Sequence, residues 1–147
     1  MNSKKNAILV LNGPNLNMLG LREPETYGTM KLPELEQKLV KKGKDLGLQV
    51  ECKQSNHEGQ LVTWVQEGYN QYDGIVMNAG AYTHTSVAIR DAILSVNLPL
   101  IEVHISSVHK REAFRHHSYL SDIAIGVICG LGIKGYMAAI EYFANDY

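Results

Sequence analysis

The chain lacks the features that would place it in a membrane, on a nucleic acid or around a metal ion. No apolar run in its 147 residues approaches the roughly 20 needed to span a bilayer. Neither sign of charge dominates: 14 Lys and Arg stand against 15 Asp and Glu, a net charge of -1, so no strong field draws it to nucleic acid or to a membrane surface. Cysteine is scarce, and Cys52 and Cys129 have neither metal-ligand nor redox-motif spacing. They read as reduced, packed thiols of a cytoplasmic protein. The six histidines lack the close spacing of a zinc site, so no metal is expected. The adjacent His116 and His117 point apart and read as surface or supporting residues, His57 reads as a cap-region residue, and His109 stays undecided. There is no Walker loop and no G-x-S-x-G, hence no P-loop and no nucleophile elbow. The opening MNSKKNAILVLNG is basic and then apolar, but too short in its apolar part for a signal peptide and without a small-residue cleavage site. No repeat, low-complexity tract or linker interrupts residues 1–147. At 45% hydrophobic and 20% charged, the chain is expected to be one soluble catalytic domain.

What is present is a regular alternation of strand and helix patterns. Strands are expected at Ala7–Leu11, Gln49–Gln54, Gly74–Asn78, Leu100–Ile105 and Ile123–Cys129. Between them, apolar stripes at helical spacing predict helices over about Leu32–Leu46, Gly59–Tyr72, Thr85–Val96 and Ile133–Ala144. The first stripe is Leu32, Leu35, Leu39, Val40 and Leu46. A further short helix is expected near Lys110–Arg115. Alternating strands and helices imply parallel βαβ units with right-handed crossovers. The expected fold is therefore α/β: a flavodoxin-like, doubly wound, five-stranded parallel sheet of order 2-1-3-4-5. Such sheets bind ligands beyond the carboxyl ends of their strands, at the switch point between strands one and three.

Unusual polar residues do collect at those strand ends. Strand one runs into LNGPNLNMLGLREPETYG, residues 11–28, a long loop too polar to pack a core. Strand three ends in Asn78-Ala79-Gly80-Ala81, with Tyr82-Thr83-His84 behind it. Strand four carries Glu102 and His104, where a buried parallel strand should be nearly all apolar; at spacing i, i+2 they share one face. A receiver domain would need acidic residues after strand one and an Asp ending strand three, where this chain has Asn12 and Asn78. A flavodoxin would need a hydroxyl-rich phosphate loop where Pro14 and asparagines stand. What remains is acid–base chemistry on a polar small molecule. Its residue stock is Asn15, Arg22, Tyr27, Asn78, His84, Asp91, His104, Ser106, Arg111 and Arg115. Arg111 and Arg115 are four apart, so one short helix could present both, and several arginines suit a carboxylate by forked hydrogen bonding. Asp91, early in helix three, also suits the helix dipole. Two rival uses stay open on the residues alone: a non-catalytic sensor of a small carboxylate and an electron carrier.

Four motifs in order resemble the type II 3-dehydroquinate dehydratases. They are LNGPNLNMLGLREPETYG at 11–28, NAGAYTHTSVAIRDA at 78–92, IEVHISSVHKREAFRHHSYLS at 101–121 and GVICGLGIKGY at 126–136. One departure is Ser107, where Asn is expected. The resemblance implies dehydration of 3-dehydroquinate to 3-dehydroshikimate without a cofactor. It implies Tyr27 as base, His104 as general acid, and Arg22 as the cation that activates Tyr27. It implies Asn15 as the residue positioning a water near the enolate, and Glu102 as the partner orienting His104. Asn78, His84, Asp91, Ile105, Ser106 and Arg115 fall at substrate-binding positions, Asp91 reaching a neighbouring subunit's site, and Arg111 is added to the substrate-binding set as the partner of Arg115 toward a carboxylate. Assembly is expected as a homododecamer built from trimers.

The implied chemistry is feasible in scale. A tyrosine base must ionise near neutrality, and lowering its pKa from about 10 to about 7.5 takes about 3.4 kcal/mol. One cation at about 4 Å, with an effective dielectric of about 20, supplies about 4 kcal/mol before desolvation. Desolvation opposes this, so the loop carrying Arg22 and Tyr27 is expected to close only over bound substrate. An imidazole, with an unperturbed pKa of about 6.5, suits the proton donor.

Overall fold

The computed structural model describes residues 6–21, 25 and 28–145. Five strands, β1 (Ala7–Asn12), β2 (Gln49–Gln54), β3 (Gly74–Asn78), β4 (Leu100–His104) and β5 (Gly126–Cys129), form one parallel sheet in the order β2-β1-β3-β4-β5. The order expected from the sequence is therefore the order found. Among the described residues, four α-helices cover the sheet: α1 (Leu32–Asp45), α2 (Glu58–Glu67), α3 (Val87–Val96) and α4 (Lys134–Ala144). The central strands β1, β3 and β4 are buried along their whole length, which is why they are nearly continuous in apolar residues.

The pleat divides the core in two. Leu9, Leu11, Ile75, Met77 and Leu100 face α2 and α3, together with Leu61, Val65, Ile89 and Ile93. Ile8, Val10, Val76, Ile101 and Val103 face α1 and α4, together with Leu35, Leu39, Tyr136 and Ile140. Each such aliphatic side chain contributes about 1.5–3 kcal/mol by leaving water.

Several element ends differ from the sequence expectation. Helix α2 stops at Glu67 rather than Tyr72, because Gly68 enters a turn and Asn70 takes a left-handed conformation with φ of 59°. Helix α3 starts at Val87, where Ser86 Oγ accepts the Ile89 N–H at 2.9 Å; the preceding Gly80–His84 is a 3-10 turn. Strand β4 ends at His104, and β5 starts at Gly126 because Ile123 and Ala124 both bond back to the Leu120 carbonyl. In the α1 stripe, Val40 and Leu46 are exposed. The short helix expected at Lys110–Arg115 does not form. Two 3-10 turns, Val108–Lys110 and Ala113–Arg115, replace it, with extended backbone at Arg111 and Glu112 between them. So short a segment supplies too few helical bonds to offset nucleation. No helix among the described residues is long and apolar enough to cross a membrane.

Candidate active site

The carboxyl ends of β1, β3 and β4 open onto one cavity of about 140 Å³. Its wall contains Asn15, Asn78, His84, His104, Ile105, Ser106, Arg111 and Arg115, eight of the residues chosen from the sequence. The turn after β1 approaches the turn after β3 closely: Gly13 N–H donates to the Asn78 carbonyl at 2.8 Å. A Cβ on Gly13 would stand 2.3 Å from the Ala79 carbonyl oxygen, so only glycine fits there. Asn15 follows in a left-handed conformation with φ of 71°, a region asparagine tolerates. Its N–H donates to Asn56 Oδ1 at 3.0 Å, which ties the β1 loop to the end of β2.

Glu102 and His104 project from the same face of β4, as their spacing requires. Glu102 Oε2 and His104 Nε2 are 2.5 Å apart, and both residues are buried. A carboxylate only accepts, so Nε2 carries the proton and Nδ1 is the ring nitrogen not committed to Glu102. Ser118 Oγ donates to Oε2 at 2.9 Å and Ser121 Oγ to Oε1 at 2.5 Å. Burial pushes the Glu102 carboxyl up, but the bonds from His104 and Ser121, the imidazole's charge and the Ser118 bond outweigh it. They hold the carboxyl below the usual carboxylate range.

On the opposite face of the sheet, the side chains of Asn12 and Asn78 meet Tyr136 of α4. Gly80 N–H donates to Asn78 Oδ1 at 3.1 Å, which turns the Asn78 amide nitrogen toward Tyr136. Asn78 Nδ2 donates to the Tyr136 hydroxyl at 2.9 Å, and that hydroxyl donates to Asn12 Oδ1 at 2.5 Å. Every donor along this run of hydrogen bonds therefore points the same way. Burial pushes the Tyr136 hydroxyl pKa up despite the Asn78 bond, so the ring stays a neutral phenol.

His84 Nδ1 lies 2.7 Å from the His117 carbonyl. The carbonyl can only accept, so Nδ1 donates and Nε2 is left for a ligand. Arg111 and Arg115 reach the cavity from the two 3-10 turns, with Glu112 between them; Arg115 Nε donates to Glu112 Oε1 at 2.8 Å. Asp91 is exposed on α3 and does not line this chain's cavity. Helical periodicity puts it on the solvent face, turned away from the buried Ile89, Ala92 and Ile93. Arg22 and Tyr27 lie outside the described residues.

His57, His109, His116 and His117 do not line the cavity, and all four are exposed. No group of three potential metal ligands occurs among the described residues. Cys52 and Cys129 sit on opposite edges of the sheet; burial and the nearby Glu36 push the Cys52 thiol up to about 12, so it stays protonated. Sequence reasoning missed Ser118, Ser121, Asn12 and Tyr136. Tyr136 had a readable signal: a buried tyrosine in an otherwise apolar stripe needs a partner for its hydroxyl. The serines had none, since their partner is set by a loop path.

The fold and the cavity define a doubly wound α/β protein with an acid–base pair, oriented amides and arginines gathered at its switch point. The model of the family described as Dehydroquinase class II matches residues 6–144. A 3-dehydroquinate dehydratase from Haemophilus influenzae is 55% identical over 145 residues, 99% of this chain and 97% of its own. A solved type II dehydroquinase from Propionibacterium acnes superposes with a TM-score of 0.92 at 42% identity, covering 98% of this chain and 99% of its own. Another, from Butyrivibrio crossotus, gives a TM-score of 0.92 at 49% identity over 95% of this chain and 97% of its own. The chain belongs to the class II dehydroquinase family.

Proposed function

We propose that this chain is a hydro-lyase that dehydrates 3-dehydroquinate to 3-dehydroshikimate without a cofactor, in the cytoplasm, as a homododecamer built from trimers. The observation that carries the reading is the Glu102–His104 pair on a buried strand, with His104 at the wall of a cavity that also holds Asn78, Arg111 and Arg115. A buried carboxylate bonded to an imidazole on a core strand costs desolvation that packing alone does not require. It is explained by proton transfer at the cavity.

Tyr27, ionised beside Arg22, takes a proton from the carbon alpha to the ketone. The electron pair moves into the carbonyl and forms an enolate, which Asn15 stabilises through a hydrogen-bonded water. The enolate collapses and expels the beta hydroxyl in an anti elimination. His104 gives that hydroxyl its proton, so water leaves and a conjugated enone remains. Glu102 faces the imidazolium before the transfer and neutral imidazole after it. The arginines and the backbone N–H groups of Ile105 and Ser106 hold the carboxylate, while Asn78 and His84 read hydroxyls. Asp91, exposed on α3, serves the site of a neighbouring subunit.

The test is direct. Purified protein given 3-dehydroquinate should develop the ultraviolet absorbance of the enone, and borohydride added with substrate should not inactivate it. Binding without any absorbance change would replace this reading with the small-carboxylate sensor; trapping on a lysine would mean an imine route.

A further inference from the structure

Ser118 and Ser121 lie in the segment that joins the Ala113–Arg115 turn to β5, outside the cavity wall. Both hydroxyls nevertheless end on Glu102, at 2.9 and 2.5 Å. Ser118 Oγ also accepts the N–H groups of Leu120 at 3.0 Å and Ser121 at 3.1 Å. A hydroxyl has one hydrogen and two lone pairs. Backbone donors take both lone pairs, so the single hydrogen of Ser118 is left to the carboxylate. The segment is itself tied down from α3: Arg90 donates to the Tyr119 carbonyl at 3.0 Å and pairs with Asp122 at 2.5 Å, one residue on each side of Leu120–Ser121. Three donors thus converge on the two oxygens of a buried carboxylate, and a carboxylic acid would have to turn its own hydrogen toward one of them.

We propose that Ser118 and Ser121 are positioning residues that clamp Glu102 as an oriented carboxylate behind His104 and so set how tightly His104 holds its proton. The proposal rests on the assignment of His104 as the acid in the dehydration above. Without the hydroxyls, Glu102 would retain only the imidazole as a hydrogen-bond donor among the described residues and would protonate or rotate more readily. His104 would then lose part of its anionic neighbour and release its proton at lower pH. An acid must be protonated to act, so the limb of the rate profile that coincides with the His104 titration should move down.

The other groups around this pair are few. His84, Arg111 and Arg115 share the cavity wall with His104. Cys129 stands beside it in register on β5. His117, Tyr119 and the Arg90–Asp122 pair lie on the serine segment and α3. Tyr27 and Arg22 are assigned to the cavity by the functional reading. Ser121→Ala removes none of these groups and none of the backbone bonds that Ser118 accepts.

The experiment compares wild type with Ser121→Ala, Ser118→Ala and Ser121→Thr, measuring kcat and KM for 3-dehydroquinate from pH 5 to 10. It also follows thermal unfolding and the His104 and His84 imidazole titrations by NMR. For Ser121→Ala, kcat should fall about tenfold, and the His104 titration and the limb that coincides with it should both move down by about half to one unit, less than the about one to two units of a whole charged hydrogen bond because the effect reaches His104 through Glu102. KM and the His84 titration should stay within experimental error of wild type, and Ser121→Thr should restore the wild-type profile. An unmoved limb with an unmoved His104 titration would overturn the proposal, as would a loss confined to the melting temperature. If Ser118→Ala fails to fold, the two Ser121 variants decide. If wild type does not turn over 3-dehydroquinate, the functional reading fails, while the His104 titration still tests the clamp separately.

Discussion

Tyr136→Phe removes one oxygen atom from the centre of the sheet–α4 interface and leaves the ring in place. That oxygen accepts from Asn78 Nδ2 at 2.9 Å and donates to Asn12 Oδ1 at 2.5 Å, with all three side chains buried. Asn12 Nδ2 already has no partner among the described residues. The substitution would therefore strand the whole Asn12 amide and one hydrogen of Asn78. A buried polar group that loses its partner costs about 1–3 kcal/mol, so two of them cost about 2–6 kcal/mol, partly offset because the phenol no longer needs desolvation. A net loss of about 2–4 kcal/mol lowers the melting temperature of a chain this size by about 6–13 °C. The assay is thermal unfolding at matched protein concentration, because association shifts apparent stability. A cycle with Asn12→Leu separates the pair from the ring: made on top of Tyr136→Phe, Asn12→Leu should cost at least about 1 kcal/mol less than in wild type. KM should rise a few-fold with kcat little changed, since Gly80 still holds the Asn78 amide oxygen. A melting temperature within about 2 °C of wild type, or a cycle with no coupling, would refute the run of hydrogen bonds.

Other outcomes follow from the same geometry. Glu102→Gln offers one acceptor oxygen to three donors, so one buried N–H or O–H must face the new NH2; kcat should fall about 10- to 100-fold, and an unchanged kcat would remove Glu102 from the site. Because the folded Glu102 pKa lies below its unfolded value, its contribution to stability is complete above the ordinary carboxylate range and is lost as pH falls through the folded value. Urea unfolding from neutral to acid pH should accordingly give wild type a steeper acid-side loss than Glu102→Gln, and parallel curves would contradict the assignment. Gly13→Ala pushes a methyl group into the Ala79 backbone and should cost about 1–3 kcal/mol or more while displacing Asn15 and Asn78, seen as lost stability together with a raised KM. Tyr27→Phe should abolish turnover but keep binding of a product analogue; near-normal turnover would sink the base assignment.

Strand order, the four helices that cover the sheet and the cavity's place at the switch point were readable because they depend on local periodicity and on handedness, both of which act over a few residues. Glu102 and His104 were readable because two ionisable groups on an otherwise apolar strand violate its own pattern. Asn15 and Asn78, which line the cavity, were readable as polar residues bunched at strand ends. Arg111 and Arg115 illustrate the limit: both reach the cavity, but from two separate turns and not from the single helix that their spacing suggested.

By itself, then, the sequence determined the layered architecture, the strand edge where chemistry gathers and the acid–base pair on β4. Only tertiary structure decided which groups hold that pair and those amides in place. Ser118 and Ser121 lie 16 and 19 residues from Glu102, and Tyr136 lies 124 from Asn12. No local pattern encodes such partners, because a hydroxyl's role depends on which acceptor the folded chain brings within about 3 Å of it.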